Sequence, residues 1–152
     1  MDVIRFHIEN RRPRYEVSDP AYTALGVWLV MDVGHSATMC LDALAIVDDT
    51  LHQREAEEWE GEGFHVDVSL DGVSLRNMYN PDQQGEYPLD FVRQTLERYW
   101  AFVIGLPGDP QVTRLYRPDL PEWQADLLEW EAAWKRPHPY RGRLGIPVSG
   151  PA

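Results

Sequence analysis

Asp71-Gly72, standing between two alternating apolar runs, constrains this chain more than any other feature in it. Phe64, Val66, Val68 and Leu70 alternate with His65, Asp67 and Ser69, and Val73, Leu75, Asn77 and Tyr79 continue the pattern beyond the glycine. A period of two sends successive side chains to opposite faces of a strand. Asp-Gly favours the two-residue type I′ turn, whose twist matches antiparallel strands. The expectation is a β-hairpin over about 64–79 that pairs Leu70 with Val73, Val68 with Leu75, Val66 with Asn77 and Phe64 with Tyr79.

Upstream, Ile4, Phe6 and Ile8 alternate with Arg5 and His7, which predicts a half-buried strand, a turn at Asn10 to Pro13 and a returning strand at Tyr15 to Val17. Ser18-Asp19-Pro20 has the form of a helix start. The run LGVWLVMDV from Leu25 to Val33 is rich in β-branched and aromatic residues and reads as a strand after about one helical turn, with Gly34 ending it. Ser36 reads as the N-cap of a helix to about Glu58, with Cys40, Leu44, Val47 and Leu51 as its apolar stripe. That places Glu55, Glu57, Glu58, Glu60 and Glu62 at a helix C-terminus, where the helix dipole disfavours negative charge.

After the hairpin, Asn80 to Pro88 reads as a loop. A helix from about Leu89 to Ile104 is expected to bury Val92, Leu96, Tyr99, Trp100 and Val103, with Gly105 and Pro107 ending it. Pro121 to Arg136 predicts a last helix, with Trp123, Leu127, Trp130 and Trp134 on one stripe. Those tryptophans read most simply as core anchors, and alternatively as an aromatic binding face. The Pro/Gly-rich residues 137–152 read as an extended or disordered tail. The sum is an α+β fold: a single domain over 1–136, with a small antiparallel sheet around the central hairpin and about three helices against it.

Charge narrows the function classes. The net charge is −11, and residues 41–97 carry all of it, with 14 Asp/Glu against 3 Arg, while the flanks nearly cancel. Phosphate binding needs clustered Lys/Arg, and only Arg11, Arg12 and Arg14 come close, so no direct nucleic-acid partner is expected. An acidic surface repels nucleic acid and anionic lipid and attracts basic proteins. It also serves simply to keep a protein in solution. No apolar run reaches the length of a membrane span, and the N-terminus has no secretion-signal pattern. Cys40 is the sole cysteine, which excludes an internal disulfide and leaves the cytoplasm as the expected compartment.

No catalytic constellation is visible. Cys40 lies on the apolar face of its helix and reads as a structural thiol. Ser36 is better used as a cap than as the partner of His35. There is no GxSxG elbow, P-loop or GxGxxG motif. His52, His65 and His138 lack metal-ligand spacing, so no metal or cofactor is expected, and His65 is expected in solvent on the polar hairpin face.

Trp59-x-Gly61, the alternation Phe64/Val66/Val68, Asp71-Gly72-Val73, Asn77-x-Tyr79 and Pro88-Leu89-x-Phe91 with Leu96 and Trp100 form a larger pattern. Over about residues 36–104 it resembles small bacterial immunity proteins of contact-dependent growth inhibition and related polymorphic toxin systems, and it is similar to bacterial proteins of YacL-like type. The resemblance implies a non-catalytic inhibitor that binds a cognate toxin domain, with an acidic surface suited to a basic toxin. The docking set would be Glu55, Glu57, Glu58, Glu60 and Glu62, with Asp82 and Glu86 from the loop. Trp59 would be an aromatic anchor or, alternatively, core beneath the hairpin. Two readings compete with this one: a stand-alone structural or regulatory domain that forms a homodimer, and an enzyme with a carboxylate site.

Overall fold

The first hairpin closes on the turn that the sequence suggests for the second. In the computed structural model, which describes residues 3–107 and 114–151, β1 (Ile4–Glu9) pairs antiparallel with β2 (Arg12–Val17), Glu9 opposite Arg12. The two residues between them, Asn10 and Arg11, have φ of 50° and 62°, the left-handed pair that a type I′ turn requires.

The Leu25–Val33 run is helical, which corrects the expected strand. Asp19 caps a short 3₁₀ turn (Pro20–Tyr22) by accepting from the Ala21 N–H, and Pro20 occupies its first position. The chain continues as α1 (Thr23–Val27) and then widens into a π-helical segment, Trp28–Val33. That segment closes with the Gly34 N–H donating to the Leu29 carbonyl five residues back. Leu25, Trp28, Leu29 and Val33 are buried at helical spacings, and Met31, on the other side, is 70 % exposed. Nearly every position is apolar, so composition concealed the period.

Ser36 caps α2 (Ala37–Gln53) as expected, accepting from the Met39 N–H. This helix ends at Arg54, φ 61°, short of the predicted Glu58. Glu57–Glu60 is instead strand β3, the first of a four-stranded antiparallel sheet completed by β4 (Phe64–Ser69), β5 (Gly72–Asn77) and β6 (Gln84–Tyr87), in the order β3-β4-β5-β6. β6 lies within the predicted 80–88 loop.

The central hairpin exists, but its turn residues are Leu70 and Asp71. Ser69 is opposite Gly72, Val68 opposite Val73, Val66 opposite Leu75 and Phe64 opposite Asn77, so each partner differs by two residues from the type I′ expectation. Neither Leu70 nor Asp71 has positive φ. Gly72 begins β5 at φ 142°, and a Cβ there would lie 2.9 Å from the Tyr87 carbonyl oxygen on β6. The glycine therefore serves that close approach. A shift of two residues keeps every side chain on its face, and Phe64, Val66, Val68, Val73 and Leu75 are all buried.

α3 (Leu89–Ile104) and α4 (Glu122–Trp134) both contact α2, which also touches β3 and β4. The core runs from the inner sheet face through Leu41, Leu44 and Val47 to Leu96, Trp100, Leu127 and Trp130. Within α4 the stripe is divided, because Trp130 is buried while Trp134 is 59 % exposed. Residues 137–151 have no helix or strand, yet His138, Tyr140 and Ile146 are buried in the core, which corrects the expected loose tail. The Tyr140 hydroxyl donates to Glu97 at 2.8 Å and Arg141 forms an ion pair with Glu131 at 2.5 Å.

Candidate functional site

Strand β3 determines where the acidic run points. Alternation turns Glu57 and Trp59 inward and Glu58 and Glu60 outward. The strand is the outermost of its sheet, and Asp32 anchors the turn that follows it. The Asp32 carboxylate accepts from the backbone N–H of Gly63 at 3.2 Å and of Phe64 at 2.9 Å. Burial raises the Asp32 pKa, and these backbone donors oppose that rise. Gly61 permits the fit, since a Cβ there would lie 2.3 Å from Asp32 Oδ2 and 2.9 Å from Trp59 Nε1.

On its inner side β3 borders a groove of about 550 Å³ against α2 and the end of α4. Met39, Ala45 and Ile46 supply apolar surface, Trp130 and Trp134 form one wall, Asp42, Asp49 and Glu57 supply the charge, and the outward-turned Glu58 and Glu60 border the rim. Arg136 is the one cation among the lining residues, and both of its terminal nitrogens are engaged by Asp49, at 3.2 and 2.7 Å. Asp42 accepts from Trp130 Nε1 at 2.6 Å. Burial raises the pKa of Asp42, opposed by the indole N–H groups of Trp130 and Trp134. Burial also raises the pKa of Glu57, with the Asp49 charge adding to the effect. A cation entering the groove would relieve both.

On the outer side the register lines up two cross-strand rows. Glu60, His65, Arg76 and Gln84 form one, and Glu58, Asp67, Ser74 and Glu86 the other. His65 Nδ1 is 3.2 Å from Glu60 and its Nε2 is 3.1 Å from Asp67. His65 lies on the polar hairpin face as expected, but its side chain is only 17 % exposed, so the expectation of solvent exposure is corrected. A second cavity, of about 340 Å³, opens beside His65, Asp67 and Arg76 on this face.

The predicted docking residues are thus only partly united. Glu57, Glu58 and Glu60 border the groove, while Glu55 and Glu62 are exposed on either side of β3. Glu86 and Asp82 are exposed at the far edge of the sheet, on β6 and just before it. Trp59 is 6 % exposed with its ring 5.7 Å from that of Trp28, so the ring is core rather than an exposed anchor. Trp134 is the exposed aromatic here, and its place at the end of a Trp-bearing stripe was the available signal. Asp42 and Asp49 were missed because the expected helix to Glu58 kept them in one element with the glutamates, whereas α2 and strand β3 are separate elements that pack together and bring them beside Glu57.

The buried thiol of Cys40 is held protonated by desolvation. His138 is fully used in the core, bonding the Leu41 carbonyl and the Tyr140 N–H. Among the described residues no helix is long and apolar enough to cross a membrane. The chain matches no known protein family, no curated protein and no solved structure.

Proposed function

We propose that this protein is a non-catalytic, cytoplasmic binding domain that docks a basic protein partner along β3, in the manner of an immunity protein neutralising a cognate toxin. The observation that carries this reading is the groove beside β3, where Asp42, Asp49 and Glu57 and the exposed indole of Trp134 surround an apolar floor, with Glu58 and Glu60 along its rim. An Arg or Lys side chain inserted there would find carboxylate acceptors, and its stem would lie against Met39 and Ile46. The face of Trp134 would add a cation–π contact. Long-range attraction to a −11 chain would speed the encounter and weaken with salt.

The competing homodimer gains little from β3. Antiparallel pairing of this edge with its own copy would bring glutamates together, and charged edges are a common defence against such pairing.

The test is growth rescue by this chain in cells expressing a toxin domain encoded beside its gene. Rescue by the wild type, with loss in a Glu58→Lys/Glu60→Lys/Trp134→Ala variant that still folds, supports docking at β3. Rescue by that variant, or no rescue by the wild type, rejects the proposal.

A further inference from the structure

We infer that Glu58, His65 and Asp67 form a binding site for a divalent transition-metal ion, with Glu60 orienting the imidazole. The inference stands apart from the docking proposal, although Glu58 belongs to both surfaces. The backbone creates the arrangement. His65 and Asp67 are two residues apart on β4 and share its outer face, Glu58 is directly opposite Asp67, and Glu60 is opposite His65. One ligand atom from each of Glu58, His65 and Asp67 lies within 4.8 Å of the other two. Bonds of about 2.0–2.1 Å in a four-coordinate site bring ligand atoms about 3.4 Å apart. The exposed side chains of Glu58 and Asp67 have the torsional freedom to close that gap.

Two features of this corner are poorly explained by folding alone. Like charges directly opposite across a strand pair are destabilising, and Glu58 against Asp67 is such a pair. The second is the ring of His65, which has a carboxylate at each nitrogen, at 3.2 and 3.1 Å. Both carboxylates are satisfied only when each ring nitrogen carries a positive partner, a proton or a metal ion. A cation between Nε2, Asp67 and Glu58 resolves both conflicts. Nδ1–H then donates to Glu60, the carboxylate–histidine arrangement that fixes the tautomer of a metal ligand.

The chemistry of the donors selects the ion. Two carboxylates balance a charge of two, and an imidazole nitrogen favours Zn²⁺, Co²⁺ or Ni²⁺ over Mg²⁺ and Ca²⁺, which prefer oxygen ligands. Because the corner is open to solvent, the ion keeps positions for water or for a ligand from another molecule. It would also cross-link the edge strand β3 to β4.

The test is titration of the chelator-treated, dialysed full chain with Zn²⁺, Co²⁺ and Mg²⁺ by calorimetry, with histidine side-chain NMR on the same samples. The expected result is one Zn²⁺ or Co²⁺ per chain, no Mg²⁺, and perturbation of the His65 ring resonances. His65→Asn and Asp67→Asn should abolish saturable binding, and Glu60→Gln should weaken it roughly tenfold. The wild-type spectra keep the test decisive even where a variant fails to fold. No saturable binding, or perturbation of His7 or His52 in place of His65, overturns the site.

Discussion

Trp130 donates its indole N–H to Asp42 across 2.6 Å, which ties α4 to α2 over a sequence separation of 88 residues. The bond is charge-assisted and lies at the wall of the β3 groove. Trp130→Phe keeps an aromatic ring but leaves Asp42 partly desolvated without this donor. The expected loss is about 2 kcal/mol, read from chemical denaturation with an unchanged slope. A loss within error would mean that water replaces the indole without cost.

Asp32 has the same kind of importance for β3. Asp32→Ala would remove the acceptor for the Gly63 and Phe64 N–H groups at the β3–β4 turn. About 2–3 kcal/mol of stability should go with it. Hydrogen exchange should quicken at Gly63 and Phe64 well before it does in α2. Uniform acceleration across the chain would show instead that the turn unfolds only with the whole domain.

How much of this was legible in the sequence depends on which interactions set each element. The inner face of the central hairpin was readable because Phe64, Val66, Val68, Val73 and Leu75 keep their faces under any even shift of register. The turn itself was not, because Gly72 answers to Tyr87 on another strand. The Leu25–Val33 helix was hidden by apolar residues on all sides, with Met31 alone marking its outer surface. Strand β3 offers one apolar residue, Trp59, among glutamates, and α2 ends on Arg54 rather than on a glycine. The groove joins residues from α2, β3 and α4, and the His65 corner joins two strands, so no local spacing could announce either.

His138 should make the domain acid-sensitive. Its ring accepts from the Tyr140 N–H and bonds the Leu41 carbonyl, an arrangement that requires the neutral imidazole. Desolvation is the main cause that lowers its pKa below the ordinary 6.5. The unfolded chain therefore takes up the proton first, and stability present above about 6.5 declines as the pH falls below it, by at most about 1.4 kcal/mol per pH unit. His138→Asn should have a flatter stability profile between pH 7 and 5, measured by urea denaturation. A parallel profile would remove His138 as the cause.

Asp126 should act in the opposite direction. It lies on α4 between Glu122 and Glu129, one turn away on either side, and it is half-buried. Desolvation first, and then those two glutamates, push its pKa up from 3.8 to about 6, against weaker help from Arg114 and Thr38. For a carboxyl raised in the folded state, the folded chain binds the extra proton. The stabilisation is complete below about 4 and is lost as the pH rises through 6. At pH 7.5 the ionised group is therefore a net cost, on the order of 1 kcal/mol once its partial exposure to solvent is allowed for. Asp126→Asn should recover that amount at pH 7.5 and give little or nothing at pH 4. Equal gains at both pH values would trace the effect to the amide's hydrogen bonds rather than to the removed charge, and a loss at pH 7.5 would show that Arg114 and Thr38 outweigh the two glutamates.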